Sequence, residues 1–373
     1  MAYVADVSSS RTEDATAGGH GSNGERARDC VREVRAQLDT VAEELRRVAS
    51  LSIAARPPVP TVVTGIGGSE GPARLFATAA TTSAAPVRFV PLSSFVTTRP
   101  RAERLVVFSQ GLSPNARLAL ARRADFGETL LIGAVDPETE PDLERRALAR
   151  SLRDAGVVGI THGPPSESGM LVRLVGPTVA SSVALRVASA LGGAPFDADR
   201  AARAYASIGQ AGVEPVRRAH ADGFAESDDV RVAPLDSASI PLGAPLAFVA
   251  TGALTDALLG LRWKWLETFG ADPHVFDALA CAHGPLQALY ERPSTWLAFE
   301  SPSSEALVAR LSRVLPSHHT LRRLRVADDP AIGFFEATAH LDAHLLATLT
   351  AHPRDLRCWP GRGADAPLYD LGS

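Results

Sequence analysis

Apolar positions recur along this chain in two alternating rhythms. Between Glu25 and Ala55, Val31, Val34, Leu38, Val41, Leu45, Val48 and Leu51 fall at three- and four-residue spacing, which predicts an amphipathic helix. Arg56-Pro-Pro-Val-Pro ends it. Beyond it, short runs of β-branched and aromatic residues alternate with segments of helical spacing. The runs predict strands at 61–65, 87–91, 104–109, 129–134, 157–161 and 171–175. The segments between them predict helices at 70–82, 114–124, 141–155 and 178–192. A second series opens with Pro245-Leu-Ala-Phe-Val-Ala-Thr251. A helix over 254–269 follows, then strands at 295–300 and 321–326 and helices at 303–314 and 333–350. Such alternation predicts an α/β fold whose parallel sheets are covered by helices on both faces.

The pattern also divides the chain. Its 373 residues exceed one ordinary core, so two domains are expected. Residues 1–25, rich in Ser, Gly, Thr and charge, read as a disordered tail. Residues 26–55 are the leading helix, 56–210 a first α/β domain, 211–243 a linker and 244–350 a second α/β domain. Residues 351–373, punctuated by Pro353, Pro360 and Pro367, read as an irregular tail closing over the site.

Charge and cysteine usage narrow the classes of partner. With 42 acidic and 38 basic residues the net charge is −4, which argues against nucleic acid. Cys30, Cys281 and Cys358 are far apart in sequence. They indicate neither a disulfide framework nor a zinc site, and a cytoplasmic setting is expected. No apolar run approaches the roughly 20 residues of a membrane span, and the N-terminus does not read as a signal peptide.

Two strand ends carry the candidate chemistry. The first reads Thr61-Val-Val-Thr-Gly-Ile-Gly67-Gly68-Ser69, and the second Arg104-Leu-Val-Val-Phe-Ser109-Gln110-Gly-Leu-Ser113-Pro114. Glycines let a backbone approach a ligand, and the helices that follow present free N–H groups. Two such turns in one parallel sheet aim hydroxyls and helix heads at one crevice, a setting that suits phosphate. Each turn taken singly reads equally as ordinary strand-to-helix chemistry. A dinucleotide reading fits less well, because the third glycine and the acidic residue after the next strand are missing; a Walker A loop is absent as well.

In these two turns and the segments after them, the chain resembles the sugar isomerase (SIS) family. It is most similar to double-SIS proteins such as the isomerase half of glucosamine-6-phosphate synthase and related phosphosugar isomerases and deaminases. The resemblance runs from about residue 45 to the C-terminus. It implies two SIS-type domains in tandem, each a flavodoxin-like, parallel-sheet αβα sandwich. Ile66-Gly67-Gly68-Ser69 matches the first phosphate loop of the family, and Ser109-Gln110 the second, with Ser113 as a hydroxyl partner. Val179-Ala180-Ser181 matches a short segment at the head of a helix. Lys264-Trp-Leu-Glu267 resembles the helix that carries the lysine and the base glutamate, and His283-Gly284-Pro285 the loop whose histidine assists ring opening, often from a neighbouring subunit.

The resemblance thus implies a phosphorylated sugar or amino sugar as ligand, a homodimer, and no cofactor, metal, nucleic acid or membrane. The sequence departs from the family at Ser-Gln-Gly-Leu in the second loop, at Ala280 where the family has a glutamate, and in a tail without a lysine. No glutaminase domain precedes the SIS region, so the chain is not expected to draw nitrogen from glutamine by itself.

Aldose–ketose isomerisation passes a proton between adjacent carbons through an enediol. It needs a carboxylate base and an acid for ring opening. Glu267 and Lys264 share a helix face, and histidine as a residue type exchanges protons near neutrality. Without the resemblance, the same residues read as a surface ion pair and a polar loop residue. Trp263 and Trp265 read as packing residues. His340 and His344 have the spacing of a metal pair but lack the HExxH glutamate. The expected function is a phosphosugar isomerase or isomerising deaminase. The alternatives are a non-catalytic sugar-phosphate sensor and a repurposed SIS enzyme of a specialised pathway.

Overall fold

The computed structural model describes residues 23–163, 167, 169–211, 239–359, 361, 363–364 and 366–369. Residues 1–22 of the expected tail and 212–238 of the expected linker lie outside the described residues. Strands β1 (Thr61–Thr64), β2 (Val87–Phe89), β3 (Arg104–Phe108), β4 (Glu128–Gly133) and β5 (Val158–Thr161) form one parallel sheet in the order β2-β1-β3-β4-β5. Strands β6 (Leu246–Ala250), β7 (His274–Asp277), β8 (Thr295–Glu300) and β9 (Thr320–Arg325) form a second in the order β7-β6-β8-β9. The first order is the flavodoxin-like one, with its switch point between β1 and β3.

The helices are α1 (Asn23–Ala49), α2 (Glu70–Ala79), α3 (Ser94–Thr97), α4 (Pro114–Leu120), α5 (Leu143–Asp154), α6 (Val175–Ala190), α7 (Ala198–Ala211), α8 (Ala253–Phe269), α9 (Pro285–Leu289), α10 (Glu305–Val314), α11 (Pro330–Ala351) and α12 (Ala366–Tyr369). The central strands are largely apolar on both faces, because helices cover both sides of each sheet. In the first sheet Val63, Val106 and Phe108 point inward, while Val62, Leu105 and Val107 point outward toward α3, α4 and α5. In the second, Phe248, Leu297 and Phe299 point inward, while Val249, Trp296 and Ala298 point outward. The two inward faces meet one shared layer built from α1, α2, α6, α7, α8 and α11.

Within that layer α2 and α8 cross at Gly71 and Gly260. A Cβ on Gly260 would collide with the Gly71 backbone, so the two helices approach as closely as backbones allow. This contact brings a helix of the second sheet against the glycine turn of the first.

Four expectations about elements are corrected. The leading helix ends at Ala49 rather than Ala55, because the Arg186 guanidinium donates to the carbonyls of Val48 and Leu51 and stops it there. The expected strand at 171–175 is a loop: the Leu171 N–H goes to the Leu356 carbonyl rather than into a sheet. Helix α6 consequently starts at Val175, three residues earlier than its spacing suggests. Strand β7 is an element the sequence pattern misses, since His274-Val-Phe-Asp277 carries only two apolar residues between a histidine and an aspartate.

The described part of the C-terminal tail runs along α1 and α8. Arg357 pairs with Glu33, Asp355 with Arg26, and Arg354 donates to the Phe269 carbonyl at 2.7 Å. No described helix is long and apolar enough to cross a membrane.

Candidate functional site

The heads of α2 and α6 and the middle of α8 enclose a narrow cleft. Its walls include Gly68, Arg173, Pro177, Ser181, Trp263, Lys264 and Glu267, with Phe334 behind them. Its open volume of about 10 Å³ admits about one water molecule. Gly68 lies against Pro177 and Arg173, so the first glycine turn forms one wall. Trp263 donates its indole N–H to Glu70 at 3.2 Å, tying α8 to the first turn of α2.

Glu267 is partly buried in this cleft. Burial is the main influence on its carboxyl and pushes it up to about 7. The backbone N–H and the positive charge of Arg173 pull the other way, and the negative charge of Glu167 adds to the rise. A carboxyl at about 7 gains and loses its proton under physiological conditions, which suits proton transfer.

Glu167 was not legible as a site residue. It is 3% exposed. Its carboxylate accepts from the backbone N–H groups of Leu174 and Val175, both at 2.6 Å, and of Gly176 at 2.8 Å. It therefore caps the head of α6 from eight residues upstream, beyond the reach of a local capping pattern. The Gln110 side-chain amide donates to the same carboxylate at 3.1 Å. The absence of a side chain at Gly176 leaves room for Gln110. Gln110 thus converges on the head of α6, as Gly68 does, but its visible partner is Glu167.

Lys264 shares the cleft with Glu267 but turns inward. Its ammonium donates to Asp342 at 2.8 and 3.0 Å and to Thr178 at 3.1 Å, so all three of its protons are engaged. Asp342 also accepts from Tyr205 at 2.9 Å. Burial holds the Asp342 carboxyl above the usual carboxylate range, against the pull of Lys264 and Tyr205. The pair is 3% exposed on either side and joins α8 to α11 and α7. The surface ion pair with Glu267, which the same spacing allows without the resemblance, does not form: Lys264 pairs with buried Asp342 instead.

The remaining candidates are distributed as follows. Gly67 takes a left-handed backbone, with φ 57°, in the first turn. Ser69 precedes α2 and makes no capping bond. Ser109 is 5% exposed and lines a separate cavity of about 120 Å³ on the outward face of the first sheet, with Leu112, Leu152 and Thr161. Ser113 caps α4 by accepting from the Ala116 N–H at 3.4 Å. Val179, Ala180 and Ser181 are not at the head of α6 but in its second turn, because the helix starts at Val175. Val179 and Ala180 are buried, and the Ser181 hydroxyl donates to the Pro177 carbonyl at 2.9 Å while lining the cleft.

His283 is exposed just before α9, whose first residue is Pro285, and is not among the residues lining the cleft. Trp265 is buried against Phe269. His340 and His344 serve different partners: the Arg325 carbonyl at 3.0 Å and the Arg322 guanidinium at 3.1 Å. Among the described residues no group of three potential metal ligands occurs.

No protein-family model and no curated protein matches this sequence. Solved structures do match. Glucosamine-6-phosphate deaminase from Thermotoga maritima is similar with a TM-score of 0.62 at 12% identity, over 89% of this chain and 97% of that one. The C-terminal domain of glucosamine-fructose-6-phosphate aminotransferase from Francisella tularensis gives 0.58 at 12%, over 87% and 97%. Tagatose-6-phosphate ketose/aldose isomerase from Escherichia coli gives 0.55 at 13%, over 88% and 92%. The likeness spans most of every chain and establishes the fold: two SIS-type domains in tandem.

Proposed function

We propose that this protein acts on a phosphorylated sugar or amino sugar, as an aldose–ketose isomerase or isomerising deaminase with Glu267 as its base. The observation that carries the reading is the Glu267 carboxyl, pushed up to about 7 in a cleft beside the first glycine turn. Ionised Glu267 takes the proton from the carbon beside the substrate carbonyl, and an enediol forms. Protonated Glu267 then returns the proton to the neighbouring carbon, so isomerisation consumes nothing, whereas the deaminase would also take up one water and release ammonia. The proteins named above that share this fold act on sugar phosphates, which supports the substrate class. The glycine turn and the Ser113 loop supply the phosphate contacts in this reading. His283, exposed in this chain, serves the cleft of a second copy in a homodimer.

One observation favours a second reading, a non-catalytic sugar-phosphate sensor. Lys264 is held by Asp342 and Thr178 and His283 does not line the cleft, so within one chain no acid stands ready beside Glu267. Incubation in deuterated water with a panel of hexose and hexosamine 6-phosphates separates the two. Proton NMR should show loss of the signal beside the carbonyl for at least one sugar, abolished in Glu267→Gln. Binding without exchange across the panel would establish the sensor instead.

A further inference from the structure

We propose that Glu167 is a positioning residue for this cleft: its buried carboxylate fixes Gln110 and the head of α6, and keeps a second negative charge beside Glu267. The inference rests on the reading of Glu267 as the base, and adds a residue that neither the sequence nor the fold assigns.

The geometry separates the roles of the two carboxylates. Glu167 is filled: three backbone N–H groups and the Gln110 amide occupy its oxygens at 2.6–3.1 Å. It has no lone pair to spare for a substrate proton. Glu267 is the one left to exchange its proton. Glu167 acts on it in two ways. It anchors Leu174, Val175 and Gly176, and with them Arg173 and Pro177, against which Gly68 packs. It also offsets the charge of Arg173, the cation that opposes protonation of Glu267.

The other charged groups around the cleft are paired among themselves. Lys264 is held by Asp342 of α11, and Glu70 of α2 is held by Arg74 and Trp263. Burial sets most of the rise at Glu267, and the charges of Arg173 and Glu167 adjust it in opposite directions. Gln110 is held in the same stroke. Its amide is turned toward Glu167, across a Gly176 where a side chain would collide with it.

The test is a carbon-13 NMR titration of the Glu267 carboxyl in the full chain, assigned by the signal lost in Glu267→Gln. It reads no turnover, so it can fail while the proposed reaction stands, and the reaction can fail while the coupling stands. In Glu167→Gln the Glu267 midpoint should fall by about one pH unit, because a neighbouring negative charge is gone. In Glu167→Asp, which keeps the charge, it should stay near the wild-type value. A folded Glu167→Gln with an unchanged midpoint would reduce Glu167 to a helix cap and overturn the proposal. Should Glu167→Gln not fold, the unaltered protein still decides. The Gln110 side-chain amide should exchange with solvent more slowly than that of exposed Gln287, and equal rates would overturn the proposal.

Discussion

At the scale of single residues, the cleft is a place where the fold tolerates an unfavourable group. Glu267 has its ordinary value of 4.5 in the unfolded chain and about 7 in the folded protein. Below about pH 4.5 both states are protonated and burial of the carboxyl carries no charge penalty. As pH rises the unfolded chain ionises first, so stability falls between 4.5 and 7 and the loss is complete above 7. Two and a half units correspond to about 3 kcal/mol at most. Glu267→Gln should therefore be more stable than wild type by up to about 3 kcal/mol in urea unfolding at about pH 8.5. The gain should vanish near pH 4. Superimposable stability curves across this range would mean that the carboxyl is not desolvated. Lys264 carries the opposite lesson. Its spacing from Glu267 places both on one helix face, but its partner Asp342 lies 78 residues away and takes the ammonium into the core. No local pattern announces that pair.

Among elements, the site depends on how closely α2 and α8 approach. The Gly71–Gly260 contact sets the distance between the first glycine turn and the face carrying Glu267. Gly260→Ala places a methyl against the Gly71 backbone and should force the helices apart. Overpacking of this kind costs about 1–3 kcal/mol, so a lowered thermal midpoint is expected. Alanine is otherwise the better helix former at such a position, by about 1 kcal/mol. An unchanged or raised midpoint would show that the helices have room to separate. The head of α6 is decided at the same scale. Leu171–Val175 has strand-like composition, yet its amides are claimed by Glu167 and by the Leu356 carbonyl, and Pro177 sits comfortably in the first helical turn. Three residues of helix were illegible for that reason.

The whole molecule is two parallel sheets facing one shared helical layer, with the cleft where that layer meets the carboxyl end of the first sheet. His283 sits on the second sheet's side and is exposed, so the proposed acid and base do not meet within one chain. In the dimer reading, a mixture of Glu267→Gln and His283→Ala subunits should regain part of the proton exchange that each homogeneous variant lacks. Refolding the two together and repeating the deuterium experiment measures this. A mixture as inactive as its components would remove His283 from the reaction.

The sequence by itself determined the alternation of strands and helices, the two parallel sheets and the position of both glycine-bearing turns. Each of these rests on local rhythm or local backbone freedom, which a linear pattern records directly. It also placed Glu267 and Lys264 on one helix. The tertiary structure decided which of them faces the cleft and which pairs with Asp342. It decided that Ser109 looks outward while Gln110 looks inward, since neighbouring residues at a strand end point to opposite faces. And it supplied Glu167, whose partners lie 7 to 57 residues away. Burial, hydrogen-bond partners and the charge around a carboxyl are properties of packed surfaces, and packing joins residues that the sequence keeps apart.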